Sequence, residues 1–147
     1  MIPKFRAWHE QGFMLGEENI VKLNLEDDIL EYCVLNEDGV RSDRECYFDE
    51  VVLMQSTGLY DKNGVEIFEG DIVRKFSNIN KFTDSFAKNI EPSFTTTLIV
   101  RDEGAFKVTY NGKPDSILNH NSMSMVKHME VIGNIYENPE LLDEVKE

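Results

Sequence analysis

Tight turns that contain glycine separate short segments of alternating apolar and polar residues along most of the chain. The pairs Asp38-Gly39, Asn63-Gly64 and Asn111-Gly112 all adjoin such segments. Because Asn, Asp and Gly tolerate positive φ, these pairs favour the turns that join antiparallel strands. Alternation with a period of two, as in residues 4–8, gives a strand one buried face. The chain is therefore predicted to be mainly β, with a bent antiparallel sheet or small barrel.

The length of 147 residues favours a single domain, residues 1–147. A chain of this size buries roughly 70% of its unfolded surface, so its folding needs neither a disulfide nor a metal. The two cysteines, Cys33 and Cys46, form no C-x-x-C motif and are expected to be free thiols. At the C-terminus, Asn138, Pro139 and Glu140 predict a short helix capped by Asn138.

Neither end of the chain nor its interior carries a membrane signal. No run of 18 apolar residues exists, so no membrane span is expected. The first residues lack the apolar core of a signal peptide. The predicted location is the cytoplasm.

The charge is strongly acidic and unevenly distributed. The net charge is −13. Residues 1–69 carry 6 basic and 16 acidic groups, whereas residues 70–128 carry 8 basic and 6 acidic groups. Such acidity repels phosphate backbones and makes nucleic-acid binding unfavourable. The acidic and mildly basic parts can attract each other between copies, although the simpler interpretation is that the acids keep the protein soluble.

The segment TGLYDKNGVEIFEGDIV, residues 57–73, is called here the glycine motif. Its glycines, Gly58, Gly64 and Gly70, lie six residues apart. Asn63-Gly64 predicts a type I′ turn, and Gly70-Asp71 predicts a bend held by the Asp71 side chain. Five residues separate the first two glycines, and Val65-Glu66 follows, so the segment is no P-loop. The glycines are predicted to be corners of the backbone, and not ligand contacts.

The histidines and cysteines do not occur at the spacings that are typical of metal or catalytic sites. His9, His120 and His128 form no i, i+4 pair, and no H-E-x-x-H motif is present. Cys46 would need a histidine and a carboxylate or amide beside it in space to act as a nucleophile. The sequence therefore predicts no enzyme, no cofactor and no metal site.

Residues 77–96 interrupt the strand pattern and predict a long surface loop or arm. Four apolar residues in it are spaced by four, which places them on one helical face and makes them a candidate interface. They are Phe82, Phe86, Ile90 and Phe94. Packing of this face on the parent domain is the alternative.

Basic and aromatic residues alternate between residues 74 and 110, a mixture that can bind a single nucleic-acid strand. The rings are also needed for a core, and the overall acidity opposes such binding. The basic residues are Arg74, Lys75, Lys81, Lys88, Arg101 and Lys107, and the rings are Phe76, Phe82, Phe86, Phe94, Phe106 and Tyr110.

Three segments in order resemble the signatures of the YopX family of small phage- and prophage-encoded proteins. They are residues 4–8 (KFRAW), residues 53–73 with the glycine motif, and residues 131–142, which include Gly133-Asn134. The resemblance implies a β-rich fold with an SH3-like barrel part and self-association. It supplies no biochemical activity.

The leading hypothesis is a non-enzymatic phage accessory protein that acts as a self-associating binding module. Its partner is a further copy or an unknown host or phage protein, and no membrane is involved. The alternative is a role linked to nucleic acid. Residues 74–110 would then bind single-stranded DNA or RNA, or the acidic N-terminal half would mimic the charge of DNA.

Overall fold

The computed structural model describes residues 4–77 and 93–143. The protein is mainly β, with antiparallel sheets, one of which curls into half a barrel, and a short helix near the C-terminus. The predicted fold class is therefore confirmed. The chain divides into two compact units, residues 1–56 and residues 57–147. The prediction of a single domain stays a prediction.

The N-terminal unit, residues 1–56, contains two groups of antiparallel strands. In one group β1 lies between β2 and β6, and Ala7 pairs with Leu15 on one side and Leu53 on the other. In the other group β4 lies between β3 and β5. The strands are β1 (Phe5–His9), β2 (Phe13–Leu15), β3 (Ile20–Asn24), β4 (Ile29–Leu35), β5 (Arg41–Tyr47) and β6 (Val51–Tyr60), with 3₁₀ turns at Glu17–Asn19 and Phe48–Glu50.

The core of the N-terminal unit is small and is formed by residues from both strand groups. Half-buried side chains such as Phe13 and Leu53 pack around it. Because apolar burial is the main favourable term in folding, this cluster holds the two groups of strands together. Its fully buried members are Ala7, Leu15, Leu30, Tyr32 and Cys46.

The C-terminal unit, residues 57–147, contains the last part of β6 and a five-stranded sheet in the order β11-β10-β9-β8-β12. The short strand β7 pairs with β6 and precedes β8 along the chain. The elements are β7 (Glu66–Phe68), β8 (Asp71–Ser77), β9 (Ser93–Asp102), β10 (Ala105–Tyr110), β11 (Lys113–Ile117), α1 (Met123–Val126), β12 (Met129–Asn134) and α2 (Glu140–Asp143), with a 3₁₀ turn at His120–Ser122.

One face of the five-stranded sheet forms the core of the C-terminal unit. Along β9, Thr97 and Ile99 are buried, whereas Leu98 and Val100 point to the opposite face, as the period of a strand requires. The buried cluster comprises Leu59, Ile67, Val73, Ile99, Val108, Leu118, Val126 and Met129.

The glycine turns follow two different geometries. Glu103-Gly104 and Asn111-Gly112 have positive φ at both residues, as type I′ turns require. Gly64 has positive φ but Asn63 does not, so the predicted type I′ turn at Asn63-Gly64 is wrong. The N–H of Gly64 donates to the carbonyl of Asp61, and the N–H of Asp61 donates to the carbonyl of Val65. This pattern is a type I turn followed by a left-handed glycine.

Residues 78–92, the greater part of the predicted arm, lie outside the described residues, and Phe82, Phe86 and Ile90 lie there with them. Phe94 belongs to β9, where it pairs with Phe76 of β8. A residue in a strand does not share a helical face, so the predicted helical set does not include Phe94.

Candidate functional site

The three glycines of the glycine motif all adopt the left-handed backbone region. Their φ angles are +78° at Gly58, +79° at Gly64 and +88° at Gly70. An L-residue with a Cβ pays a steric cost in this region, which glycine does not. At all three positions the chain thus uses a conformation for which glycine is suited, and no ligand is needed to account for it.

The Asp61 side chain accepts three hydrogen bonds from the backbone. Its Oδ1 accepts the N–H groups of Asn63 at 2.8 Å and Val65 at 2.9 Å. Its Oδ2 accepts the N–H of Val131 in β12 at 2.9 Å. Asp61 is 6% exposed. A buried carboxylate with these donors holds the turn and attaches it to β12, and it is poorly placed to coordinate a cation.

The bend at Gly70-Asp71 is built in the same way. Asp71 is buried, and its Oδ2 accepts the N–H of Phe68 at 2.8 Å, three residues before it. The N–H of Gly70 donates to Ile99, and the carbonyl of Gly70 accepts the N–H of Ile135. The bend therefore connects β9 to the segment that follows β12.

Gly133 and Asn134 form a third corner of the same kind. Asn134 Oδ1 accepts the N–H groups of Tyr136 at 3.0 Å and Glu137 at 2.9 Å. A Cβ on Gly133 would lie 2.5 Å from Asn138 Oδ1, so close approach of that side chain explains this glycine. Asn138 Oδ1 accepts the N–H of Asn134 at 3.3 Å, so its side chain turns back to the corner and away from its predicted role as cap of α2.

A cluster that the sequence did not predict lies in the N-terminal unit. One possible ligand atom from each of His9, Cys46 and Glu50 lies within 4.8 Å of the others. His9 is 4% exposed and Cys46 is 6% exposed. The distance from His9 Nε2 to Glu50 Oε2 is 3.9 Å. Both Cys46 and Cys33 are free thiols, as predicted.

This cluster has the composition of a cysteine nucleophile with a base, but its details argue against that chemistry. Burial, and to a smaller degree the charge of Glu50, raises the pKa of Cys46, so the thiol stays protonated at neutral pH. His9 Nδ1 accepts the N–H of Gln11 at 3.1 Å. A reactive thiol requires a lowered pKa and access to substrate, and Cys46 has neither.

Sequence inspection missed the cluster because its members are distant along the chain. His9 comes beside Glu50 through the pairing of β1 with β6, in which His9 faces Val51. The register of one strand against another cannot be read from the spacing of residues along the chain. The sequence also contains two S-x-x-K spacings. Ser85 to Lys88 lies among residues 78–92, outside the described part, and Ser124 to Lys127 begins in α1.

A groove of about 550 Å³ lies on the face of the five-stranded sheet that points away from the core. This face is called the outer face. Val100 of β9, Lys107 of β10 and Ile117 of β11 stand side by side on it through their strand pairing. The groove lining includes Thr96, Leu98, Val100, Arg101, Thr109 and Pro114, with Leu142 of α2 at its border.

Large apolar side chains remain exposed on the outer face. Phe94 is 50% exposed, and Ile117 is 53% exposed. The guanidinium of Arg74 lies 4.8 Å from the centre of the Phe94 ring. The outer face thus offers apolar area together with positive charge from Arg74.

Several basic residues of the predicted nucleic-acid surface contact their own chain. Lys107 Nζ donates to Asp102 at 2.9 Å, which raises the pKa of Lys107. The guanidinium of Arg101 lies 5.9 Å from the Phe106 ring centre. These contacts leave fewer cations available for a phosphate backbone.

Among residues 4–77 and 93–143, no helix has the length and apolarity to cross a membrane.

Comparisons with known proteins agree on one family. The chain is similar to the crystal structure of protein EF1440 from Enterococcus faecalis, with 30% identity and a TM-score of 0.62. That alignment covers 97% of this chain and 99% of the other. The protein yopX from Bacillus subtilis shares the fold at 19% identity and a TM-score of 0.58, over 94% of this chain and 96% of the other.

No curated protein sequence gives a significant match. The family model described as YopX protein matches residues 4–143, nearly the whole chain. All three segments that carry the resemblance fall within the match. The chain belongs to the YopX family.

Proposed function

We propose that this protein is a non-enzymatic phage or prophage accessory protein that acts as a self-associating binding module. The observation that carries the proposal is the outer face, whose groove of about 550 Å³ has an apolar floor. Phe94 and Ile117 add exposed apolar side chains to the same face. Exposed apolar area of this kind marks binding surfaces in proteins that are otherwise strongly charged.

The occupant proposed for this groove is a second copy of the chain. Residues 1–56 carry 5 basic and 13 acidic groups, so the N-terminal unit is negatively charged. The outer face presents Arg74 beside the apolar ring of Phe94. Opposite charges favour contact between the N-terminal unit of one copy and the outer face of another.

Light scattering at tens of micromolar protein, in low and in high salt, tests this association. Attraction between exposed charges is screened by salt, so the mass should exceed that of the monomer and fall as salt rises. A monomeric mass in both conditions would remove self-association. A large mass that salt does not change would instead favour apolar contacts alone, against the charge argument.

The alternative is a role linked to nucleic acid. Exposed Phe94 and Tyr110 favour it, because exposed rings can stack on the bases of a single strand. Mobility shift with single- and double-stranded DNA distinguishes the two proposals. Mimicry of DNA by the acidic half predicts no shift, but competition with DNA for a host DNA-binding protein.

A further inference from the structure

Three residues of the N-terminal unit offer a nitrogen, a sulfur and an oxygen ligand at one place. His9 is the last residue of β1, Cys46 lies in β5, and Glu50 ends the 3₁₀ turn before β6. We propose that His9 Nε2, Cys46 Sγ and the Glu50 carboxylate bind a divalent cation of the zinc class, with water as the fourth ligand.

The types of ligand atom determine which cations can bind at this place. Thiolate and imidazole ligands favour Zn²⁺ and related transition metals, whereas Ca²⁺ and Mg²⁺ require oxygen ligands. Three protein ligands with one open position are typical of zinc sites that keep a bound water. The proposed site is therefore selective for Zn²⁺ or Co²⁺ over Ca²⁺ and Mg²⁺.

The spacing of the ligand atoms needs little adjustment. Bonds of about 2.0–2.3 Å in a tetrahedron put ligand atoms roughly 3.3–3.8 Å apart. His9 Nε2 and Glu50 Oε2 are 3.9 Å apart, and one ligand atom from each of the three residues lies within 4.8 Å of the others. A contraction of at most about 1.5 Å closes the site. Glu50, whose side chain is 36% exposed, can supply this movement and the entry path.

The surroundings hold His9 in a fixed orientation. Its ring stacks on Phe13, with a centroid distance of 4.5 Å and an interplanar angle of 12°. The Tyr32 ring lies on another side at 6.4 Å. A ring held by packing gives a metal ligand with little loss of side-chain freedom on binding.

Metal binding changes the protonation of two of the ligands, Cys46 and His9. The Cys46 thiol releases one proton to solvent and coordinates as thiolate. In neutral His9, the N–H of Gln11 occupies Nδ1, so the ring proton is on Nε2. Coordination by Nε2 transfers that proton to Nδ1 and breaks the bond to Gln11. Loss of one backbone hydrogen bond is small beside the gain of three coordination bonds.

Cobalt titration of the reduced full-length protein tests the site without any assumption about activity. The Cys33→Ser variant is the decisive sample, because Cys46 is its single thiol. We expect a thiolate-to-cobalt charge-transfer band and the visible bands of a tetrahedral ion in wild type and in Cys33→Ser. We expect loss of the charge-transfer band in Cys46→Ser and weaker binding in Glu50→Gln.

Two further readouts are specific to this geometry. The amide resonance of Gln11 should shift on Zn²⁺ binding, because its hydrogen bond to His9 breaks. Added Zn²⁺ should raise the Tm, and a chelator should reverse the rise. Absence of the charge-transfer band from both wild type and Cys33→Ser would overturn the proposal. Retention of the band in a folded Cys46→Ser protein would overturn it as well.

Discussion

The carboxylate of Asp61 accepts the N–H of Val131 at 2.9 Å across 70 residues of sequence. In the same place the N–H of Lys62 donates to the carbonyl of Met129, and Lys62 Nζ lies 3.3 Å from Glu130. The turn of the glycine motif is thus fastened to β12 by backbone and side-chain contacts. This link stabilises the C-terminal unit through a buried aspartate, a residue type that is usually exposed.

Replacement of Asp61 by alanine should be strongly destabilising. It leaves three backbone N–H groups without their acceptor in a partly buried place. We expect a loss of about 3 kcal/mol in the free energy of unfolding, measured by chemical denaturation.

Asn36→Ala is the matched control for Asp61→Ala. Asn36 Oδ1 accepts the N–H groups of Asp38 and Val40 in a turn of the same geometry, but it is exposed and lacks a long-range bond. We expect a loss of at most about 1 kcal/mol. Equal losses in the two variants would show that the bond to Val131 contributes nothing.

The stability of variants at position 64 should depend on how well the new residue tolerates positive φ, and not on the size of its side chain. Its φ is +79°, and a Cβ there would meet nothing within 4 Å. We expect Gly64→Ala to cost about 1–2 kcal/mol, and Gly64→Asn clearly less, because asparagine tolerates this region. The measurement is again chemical denaturation. Equal costs for the two variants would contradict this explanation.

At position 133 we expect the opposite, because glycine is needed there to leave space for the Asn138 side chain. Gly133→Ala places a Cβ 2.5 Å from Asn138 Oδ1 and forces that side chain off the N–H of Asn134. We expect a cost of about 1 kcal/mol in wild type. In an Asn138→Ala background the cost should nearly vanish. A double-mutant cycle measures this coupling, and a coupling free energy of zero would contradict the contact.

The outer face predicts how substitutions change self-association. Phe94→Ser removes an exposed ring from this face, and we expect the association constant to fall about tenfold. Met123→Ser is the matched control, because Met123 is 53% exposed on α1 and does not line the groove. Analytical ultracentrifugation compares the two proteins. Equal weakening by both variants would exclude the outer face as the contact.

Local patterns in the sequence predicted the strands and the glycine corners well. Alternation in residues 4–8 and the pair Asn111-Gly112 each specify their own backbone, so no distant residue is needed to interpret them. The turn type at Asn63-Gly64 was missed because the Asp61 side chain holds a five-residue turn there. β11 was missed because Lys113, Pro114 and Asp115 are poor strand formers.

Long-range geometry accounts for what the sequence could not predict about the candidate sites. The cluster of His9, Cys46 and Glu50 depends on the register of β1 against β6 and on the 3₁₀ turn after β5. The outer-face groove depends on which side of β9 the core occupies. Neither property is contained in a window of neighbouring residues.

The edge strand β11 of the five-stranded sheet limits how copies can join. Pro114 has no N–H to offer along this edge, and its neighbours Lys113 and Asp115 carry charges. An edge of this kind disfavours pairing with an incoming strand, so the sheet is not expected to extend into a second molecule through β11. Copies of this protein should accordingly meet through surfaces other than the edge at β11.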